Sequence, residues 1–284
     1  MTKTISLSVV GSINLDLVAL GETLPAPGET VTGATYAEYP GGKGANQALA
    51  ARRLGADVSL IGRTGADTNA EVALGLVRSE GINLAHCKDL PAAATGVALI
   101  AVSADGENQI VVAPGANDKL LSDDVPSIRT DATLAVLEVP VATVLRAGEQ
   151  SSGFFAVNLA PALPVPDDLV RRADLVIVNE GEAETYGEQL KLCGGLVAVT
   201  YGAQGAALFR GTDKVAEASP PKVTAVDTTG AGDTFSAALT VALCEGMTED
   251  VALRFACAAG ALTATKAGAQ PSFPERKAVD QILS

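Results

Sequence analysis

The chain has 284 residues, enough for one large α/β domain with a small appendage or for two modest domains. Asp and Glu number 33 against 20 Lys and Arg, a formal net charge of −13, and 48% of residues are hydrophobic against 19% charged. That balance excludes disorder and repels phosphate backbones and anionic lipid, so neither nucleic acid nor a membrane surface is an expected partner.

Residues 5–11 are a β-branched run that ends in glycine and reads as a strand. Residues 15–20 and 31–38 read as two more, separated by the turn cluster Pro25-Ala26-Pro27-Gly28. Gly41-Gly42 then opens an Ala-rich helix to about residue 54, where Gly55 stops it. A strand at 58–61 and a helix at 67–79, ended by Gly81, come next. Strands at 95–102 and 109–112 flank Ala104-Asp105-Gly106-Glu107, a hairpin turn. From there the pattern alternates, with strands at 134–137, 154–158, 175–178 and 197–200 and helices at 141–150 and just after Asn179. Residues 206–209 and 215–218 form an antiparallel edge, and the remainder is helical over 231–244, 248–266 and 274–283. The most apolar run, 92–104, is broken by Thr95 and Gly96 and is too short to cross the ~30 Å of a bilayer core.

Such alternation predicts a doubly wound, mostly parallel sheet with helices on both faces. The strands at 15–20, 31–38, 95–102 and 109–112 stand outside it and predict a small second sheet. There is one His, His86, which excludes multi-His metal sites. The cysteines, Cys87, Cys193, Cys244 and Cys257, have no C-x-x-C spacing and read as free thiols in a reducing cytoplasm.

Two glycine-rich loops lead into helices. In Gly41-Gly42-Lys43-Gly44-Ala45-Asn46-Gln47 the lysine is followed by glycine, so it is not a Walker A loop, and Gln47 rules out G-x-G-x-x-G. Its polar trio, Lys43, Asn46 and Gln47, could meet a polyhydroxylated ligand at the helix start. In Asp227-Thr228-Thr229-Gly230-Ala231-Gly232-Asp233-Thr234-Phe235, Gly230 and Gly232 free backbone N–H groups at a helix N-terminus, which makes an anion hole. Asp233 beside it is either a helix cap or the base that takes a hydroxyl proton during phosphoryl transfer.

These loops, with Gly11-Ser12-Ile13-Asn14-Leu15-Asp16, Pro27-Gly28-Glu29-Thr30, Asn179-Glu180-Gly181-Glu182 and Gly268-Ala269-Gln270-Pro271-Ser272, occur in an order that resembles the ribokinase-like (PfkB-type) carbohydrate kinase family over nearly the whole chain. Within it the Asn14/Asp16 pair, the Pro-Gly-Glu-Thr turn and the Gly-Ala-Gln-Pro-Ser end are most similar to the ribokinase branch. The resemblance implies an α/β core of residues 1–13, 39–94 and 113–284 and a β-sheet lid of 14–38 and 95–112. It implies ATP-dependent phosphorylation of the 5-hydroxyl of D-ribose, or of another small sugar, deoxysugar or nucleoside. Asp233 would be the general base and Gly230, Ala231 and Gly232 the anion hole. Asn14, Asp16, Gly42, Lys43, Asn46 and Glu138 would hold the sugar. Asn179 and Glu182 would act on Mg²⁺ and phosphates through water, and Thr200, Gly202 and Gly205 would lie under the nucleotide. A monovalent cation, K⁺, is expected near Asp227, Thr229, Thr263, Lys266, Gly268 and Ser272. Between Tyr186 and Val197 the chain is short for the family, and a helix is expected to be missing there. A homodimer through the lid is expected, with Val31, Ala34, Val97, Leu99 and Val111 on its strands.

Overall fold

The computed structural model describes residues 4–284, so the first three residues of the expected 1–13 core segment lie outside it. Nine strands form the main sheet in the order β13-β12-β11-β10-β9-β8-β1-β4-β5. They are β1 (Ser6–Val10), β4 (Asp57–Gly65), β5 (Asn83–Leu90), β8 (Ala132–Val136), β9 (Phe154–Asn158), β10 (Leu175–Asn179), β11 (Leu196–Thr200), β12 (Ala206–Arg210) and β13 (Asp213–Ala218). All neighbours are parallel except at β12 and β13, which form the expected antiparallel edge.

Successive side chains of the inner strands enter two different cores, because a strand alternates faces. Leu175 and Ile177 of β10 pack in one, with α1 (Lys43–Arg53), α7 (Ala231–Cys244) and α8 (Glu249–Thr263). Val176 and Val178 pack in the other, with α4 (Val141–Gln150) and α5 (Asp167–Arg172). Helices on both faces are why these strands read as continuous apolar runs. The remaining helices are α2 (Thr68–Ala73), α3 (Gly75–Ser79), α6 (Glu180–Tyr186), α9 (Ala269–Ser272) and α10 (Arg276–Leu283).

A separate four-stranded sheet, β3-β2-β6-β7, is built from β2 (Asn14–Leu20), β3 (Thr35–Gly41), β6 (Gly96–Val102) and β7 (Asn108–Ala113). This is the small lid sheet. Strand β3 departs from expectation. Residues 31–34 are not strand, and β3 begins at Thr35, paired with Leu20, and runs to Gly41, paired with Asn14. Gly33 at φ +85° turns the chain just before, so Val31 and Ala34 lie in the preceding loop and not on a lid strand.

Three further differences have local causes. Strand β5 was not expected; it is a sheet edge with mostly exposed side chains, His86 among them, and shows no apolar alternation. The helix expected at 67–79 is two short ones joined at Leu74, and α8 ends at Thr263 instead of continuing to Lys266. Between Tyr186 and β11 the chain makes 3₁₀ turns, Gly187–Leu192, and no α-helix.

Candidate active site

The order β8-β1-β4 places the reversal of winding between β1 and β8, where the carboxyl ends of neighbouring strands open a crevice. The loop after β1 meets the start of α1 there, backbone against backbone. A Cβ on Gly42 would stand 2.6 Å from the Asn14 nitrogen, and one on Gly44 would stand 2.5 Å from the Gly11 carbonyl carbon. Gly42, at φ +85°, precedes α1 without capping it by a side chain. Glu138, just beyond β8, supplies the missing acceptor: its Oε2 takes the Ser12 hydroxyl at 2.5 Å and the Lys43 N–H at 3.0 Å. Its Oε1 faces the Lys43 ammonium at 3.9 Å. Glu138 therefore clamps the junction with one oxygen and turns the other to the Lys43 ammonium.

Asp16 points from β2 at the same junction, and a Cβ on Gly41 would collide with its carboxylate. The first glycine of the pair is thus the space that this acid occupies. Asn14, two residues earlier on the same face of β2, accepts from Asn117 Nδ2 at 2.7 Å. That bond engages the oxygen end of the Asn14 amide and leaves the nitrogen end as the donor.

Asp233 stands in the first turn of α7 and is 6% exposed. It does not cap the helix; Gly230, at φ +79°, holds that position without a side-chain bond. Instead its Oδ2 accepts from Asn46 Nδ2 at 2.9 Å and its Oδ1 from Gln47 Nε2 at 3.2 Å. The carboxylate is aimed across the core at α1, which removes the capping alternative.

Buried acids concentrate here. Burial, with Glu138 and Asp233 nearby, pushes the Asp16 carboxyl up to about 7 against the pull of Lys43. Asp233 is also raised, by burial first, although Lys43, Asn46 and Gln47 hold it down. Lys43 is held protonated chiefly by Asp233 and then by Glu138, Glu182 and Asp16. One ammonium thus serves several carboxylates.

A cavity of about 230 Å³ opens among Lys43, Asn158, Asn179, Glu182, Gly230 and Asp233. A second, of about 460 Å³, runs over Thr200, Gly202 and Gly205 to Pro220, Phe235, Cys257 and Gly260. The two share Thr200, Thr228 and Gly232, so they meet at the first turn of α7. Asn158, Asn179 and Thr200 end β9, β10 and β11, which puts the crevice at the carboxyl edge of the sheet. Of the three amides expected in the anion hole, that of Ala231 is taken by the Thr228 carbonyl at 3.1 Å, a turn bond that precedes α7. The Gly232 and Asp233 amides lie in the first turn, where a helix offers no internal acceptor.

Asn179 and Glu182 form a reciprocal capping box on α6, each side chain accepting from the other's N–H at 2.8 Å. One Glu182 oxygen is used this way, and its carboxyl, raised by burial, still lines the smaller cavity. Of the residues expected around a monovalent cation, Asp227, Thr229 and Gly268 are in direct contact. Asp227 accepts from the Thr229 N–H and hydroxyl and from the Gly268 N–H. Burial works against its charge, but the Thr229 and Gly268 bonds outweigh it and hold the carboxyl below its ordinary range. The Lys266 N–H lies 3.4 Å from the Thr263 carbonyl, and the Ser272 hydroxyl donates to Ala269. The hydroxyl of Thr263 is buried and donates to Thr234 and Ala259. Among the described residues no group of three or more His, Cys, Asp and Glu could hold a metal ion. Sequence reasoning missed Asn117 and Asn158 and gave Ser12 and Gln270 no role beyond their motifs; Gln47, expected with Lys43 and Asn46 to meet a polyhydroxylated ligand, is instead spent on Asn158 and Asp233.

A family model described as pfkB family carbohydrate kinase matches residues 4–276. The ribokinase of Bacillus subtilis is 37% identical over 293 residues, covering 98% of this chain and 99% of that protein. The crystal structure of ribokinase from Thermotoga maritima superposes with a TM-score of 0.89 at 31% identity, over 98% of this chain and 99% of that one. Arabidopsis thaliana ribokinase complexed with ribose and ATP superposes with a TM-score of 0.86 at 31% identity, over 99% of both chains.

Proposed function

Because the chain belongs to the pfkB family of carbohydrate kinases, we propose that it transfers the γ-phosphoryl group of ATP to the 5-hydroxyl of D-ribose. The observation that carries this is the place of Asp233: a buried carboxylate, not used as a cap, that lines a charged cavity next to Gly232, where that cavity meets a larger, mostly apolar one. In this reading D-ribose lies against Asp16, Asn14, Lys43, Asn46 and Glu138, and ATP lies over Thr200, Gly202 and Gly205. Asp233 accepts the proton of the 5-hydroxyl as its oxygen attacks the γ-phosphorus, and the bond to the β,γ-bridging oxygen breaks to leave ADP. The amides of Gly230 and Gly232 face the charge on the transferred group, with Lys43 beside them.

Ionised Asp16 can accept from two neighbouring hydroxyls, which favours ribose over 2-deoxyribose. Mg²⁺ would supply charge neutralisation on the phosphates, held through water by the free oxygen of Glu182. K⁺ would rest on main-chain carbonyls near Asp227, Gly268 and Ser272, where the ionised Asp227 supplies a fixed negative charge. The exposed lid residues Leu99, Ile110, Val111 and Val112 support a homodimer through the lid, with a mass about twice 28.6 kDa. Four free thiols fit a reducing cytoplasm, and among the described residues no helix is long and apolar enough to cross a membrane.

ADP release with ATP and a panel of D-ribose, 2-deoxy-D-ribose, D-fructose and adenosine tests the reading. The expected result is the highest kcat/KM for D-ribose and a 5-phosphate product. A higher value for any other member would move the assignment to that substrate.

A further inference from the structure

We propose that Gln47 is a positioning residue for the Asp233 base, and that Gln270 serves the same end one step further out, through Asn46. Gln47 has no exposed surface, and its side-chain nitrogen is spent on two protein oxygens, which leaves no donor for a sugar hydroxyl or a phosphate. Its Nε2 donates to Asp233 Oδ1 at 3.2 Å and to Asn158 Oδ1 at 3.1 Å. The Asn158 amide is fixed in turn, since its Nδ2 donates to the Ile177 carbonyl at 3.1 Å. Both neighbours of the Gln47 nitrogen are therefore oxygens, and only this orientation of the amide satisfies them. On the other side Gln270, also without exposed surface, donates to Asn46 Oδ1 at 3.1 Å, which turns Asn46 Nδ2 onto Asp233 Oδ2.

Asn46 and Gln47 thus each donate to the carboxylate, one on each oxygen, and Gln270 backs Asn46. The oxygens at the outer ends, Gln47 Oε1 and Gln270 Oε1, are buried without a partner among the described residues. A methionine would fill either space without burying such an oxygen, so what glutamine adds is its N–H donor. Two fixed donors set the plane of the carboxylate and leave the remaining lone pairs to the cavity. They also stabilise the ionised form, alongside Lys43 on α1 and against Glu138 after β8 and Asp16 on β2.

This inference rests on the reading of Asp233 as the base, so the test measures Gln47→Met, Gln270→Met and Asp233→Asn side by side, with D-ribose and ATP. For Gln47→Met the expected result is a kcat lower by roughly 10- to 100-fold, with the KM for D-ribose within about threefold of wild type. The acid limb of kcat should move to higher pH, because losing a donor to the carboxylate favours its protonated form. Gln270→Met should change kcat and the acid limb in the same direction by less, and it decides the matter if Gln47→Met does not fold. A Gln47→Met enzyme with kcat within twofold of wild type and an unmoved acid limb overturns the proposal. So does a fall in kcat matched by a rise in KM with no change in pH profile, since that marks a merely structural role. If Asp233→Asn is inactive while both methionine variants behave as wild type, only the positioning role falls; if Asp233→Asn turns over, the base assignment falls with it.

Discussion

On the Lys43 side of the crevice the groups that matter are side chains: an ammonium, the carboxyls of Asp16, Glu138, Glu182 and Asp233, and a scaffold of amides. On the Pro220 side the wall is Gly202, Gly205, Pro220, Pro221, Val223, Phe235 and Gly260, with few polar side chains. In the proposed reading the first region would hold its ligand by charge and hydrogen bonds that single substitutions remove. The second would hold its ligand by shape and main chain, which single substitutions barely alter. Their junction at Gly232 is where the two kinds of recognition would act on one reacting bond.

That contrast predicts graded effects. Lys43→Met leaves several carboxylates without their shared cation and should lower kcat/KM for D-ribose by roughly 10²–10³-fold, read from steady-state kinetics. Asp16→Asn should raise the KM for D-ribose at least tenfold and leave that for ATP within twofold; equal effects on both substrates would erase the distinction between the regions.

The same substitution should stabilise the free protein. The Asp16 carboxyl rises from 3.8 to about 7 on folding, so the folded chain retains a proton that the unfolded chain releases between those values. Stability is therefore lost as pH rises through that window, and the penalty is complete above pH 7. Asp16→Asn should raise Tm at pH 8, by roughly 2–4 °C for each kcal/mol relieved, and should leave it unchanged at pH 4. In the wild-type enzyme kcat/KM for D-ribose should fall as pH drops below about 7, as Asp16 gains its proton. The smallest effect belongs to the other region: Lys222→Ala, at the exposed rim of the larger cavity, should change the KM for ATP by less than threefold.

Legibility in the sequence followed burial. Inner strands such as β8 and β10, covered on both faces, read directly as apolar runs. Edge strand β5 carries Asn83, His86, Lys88 and Asp89 and has no such pattern, and β3 is placed by its pairing with β2, a contact that local propensity does not encode. The two glycine loops were legible because they pack chemistry into consecutive residues. The amide scaffold was not: Gln47 reaches Asp233 across 186 positions and Gln270 reaches Asn46 across 224. A helical glutamine looks the same in sequence whether it faces water or a buried carboxylate.

The most direct test of the account is Asp233→Asn, with kcat from ADP release and D-ribose affinity from titration calorimetry on the same preparation. The account predicts a kcat lower by roughly two to four orders of magnitude with the Kd for D-ribose within about threefold of wild type, because the lost group acts on a proton in the transition state. A variant that keeps half of the wild-type kcat would contradict it.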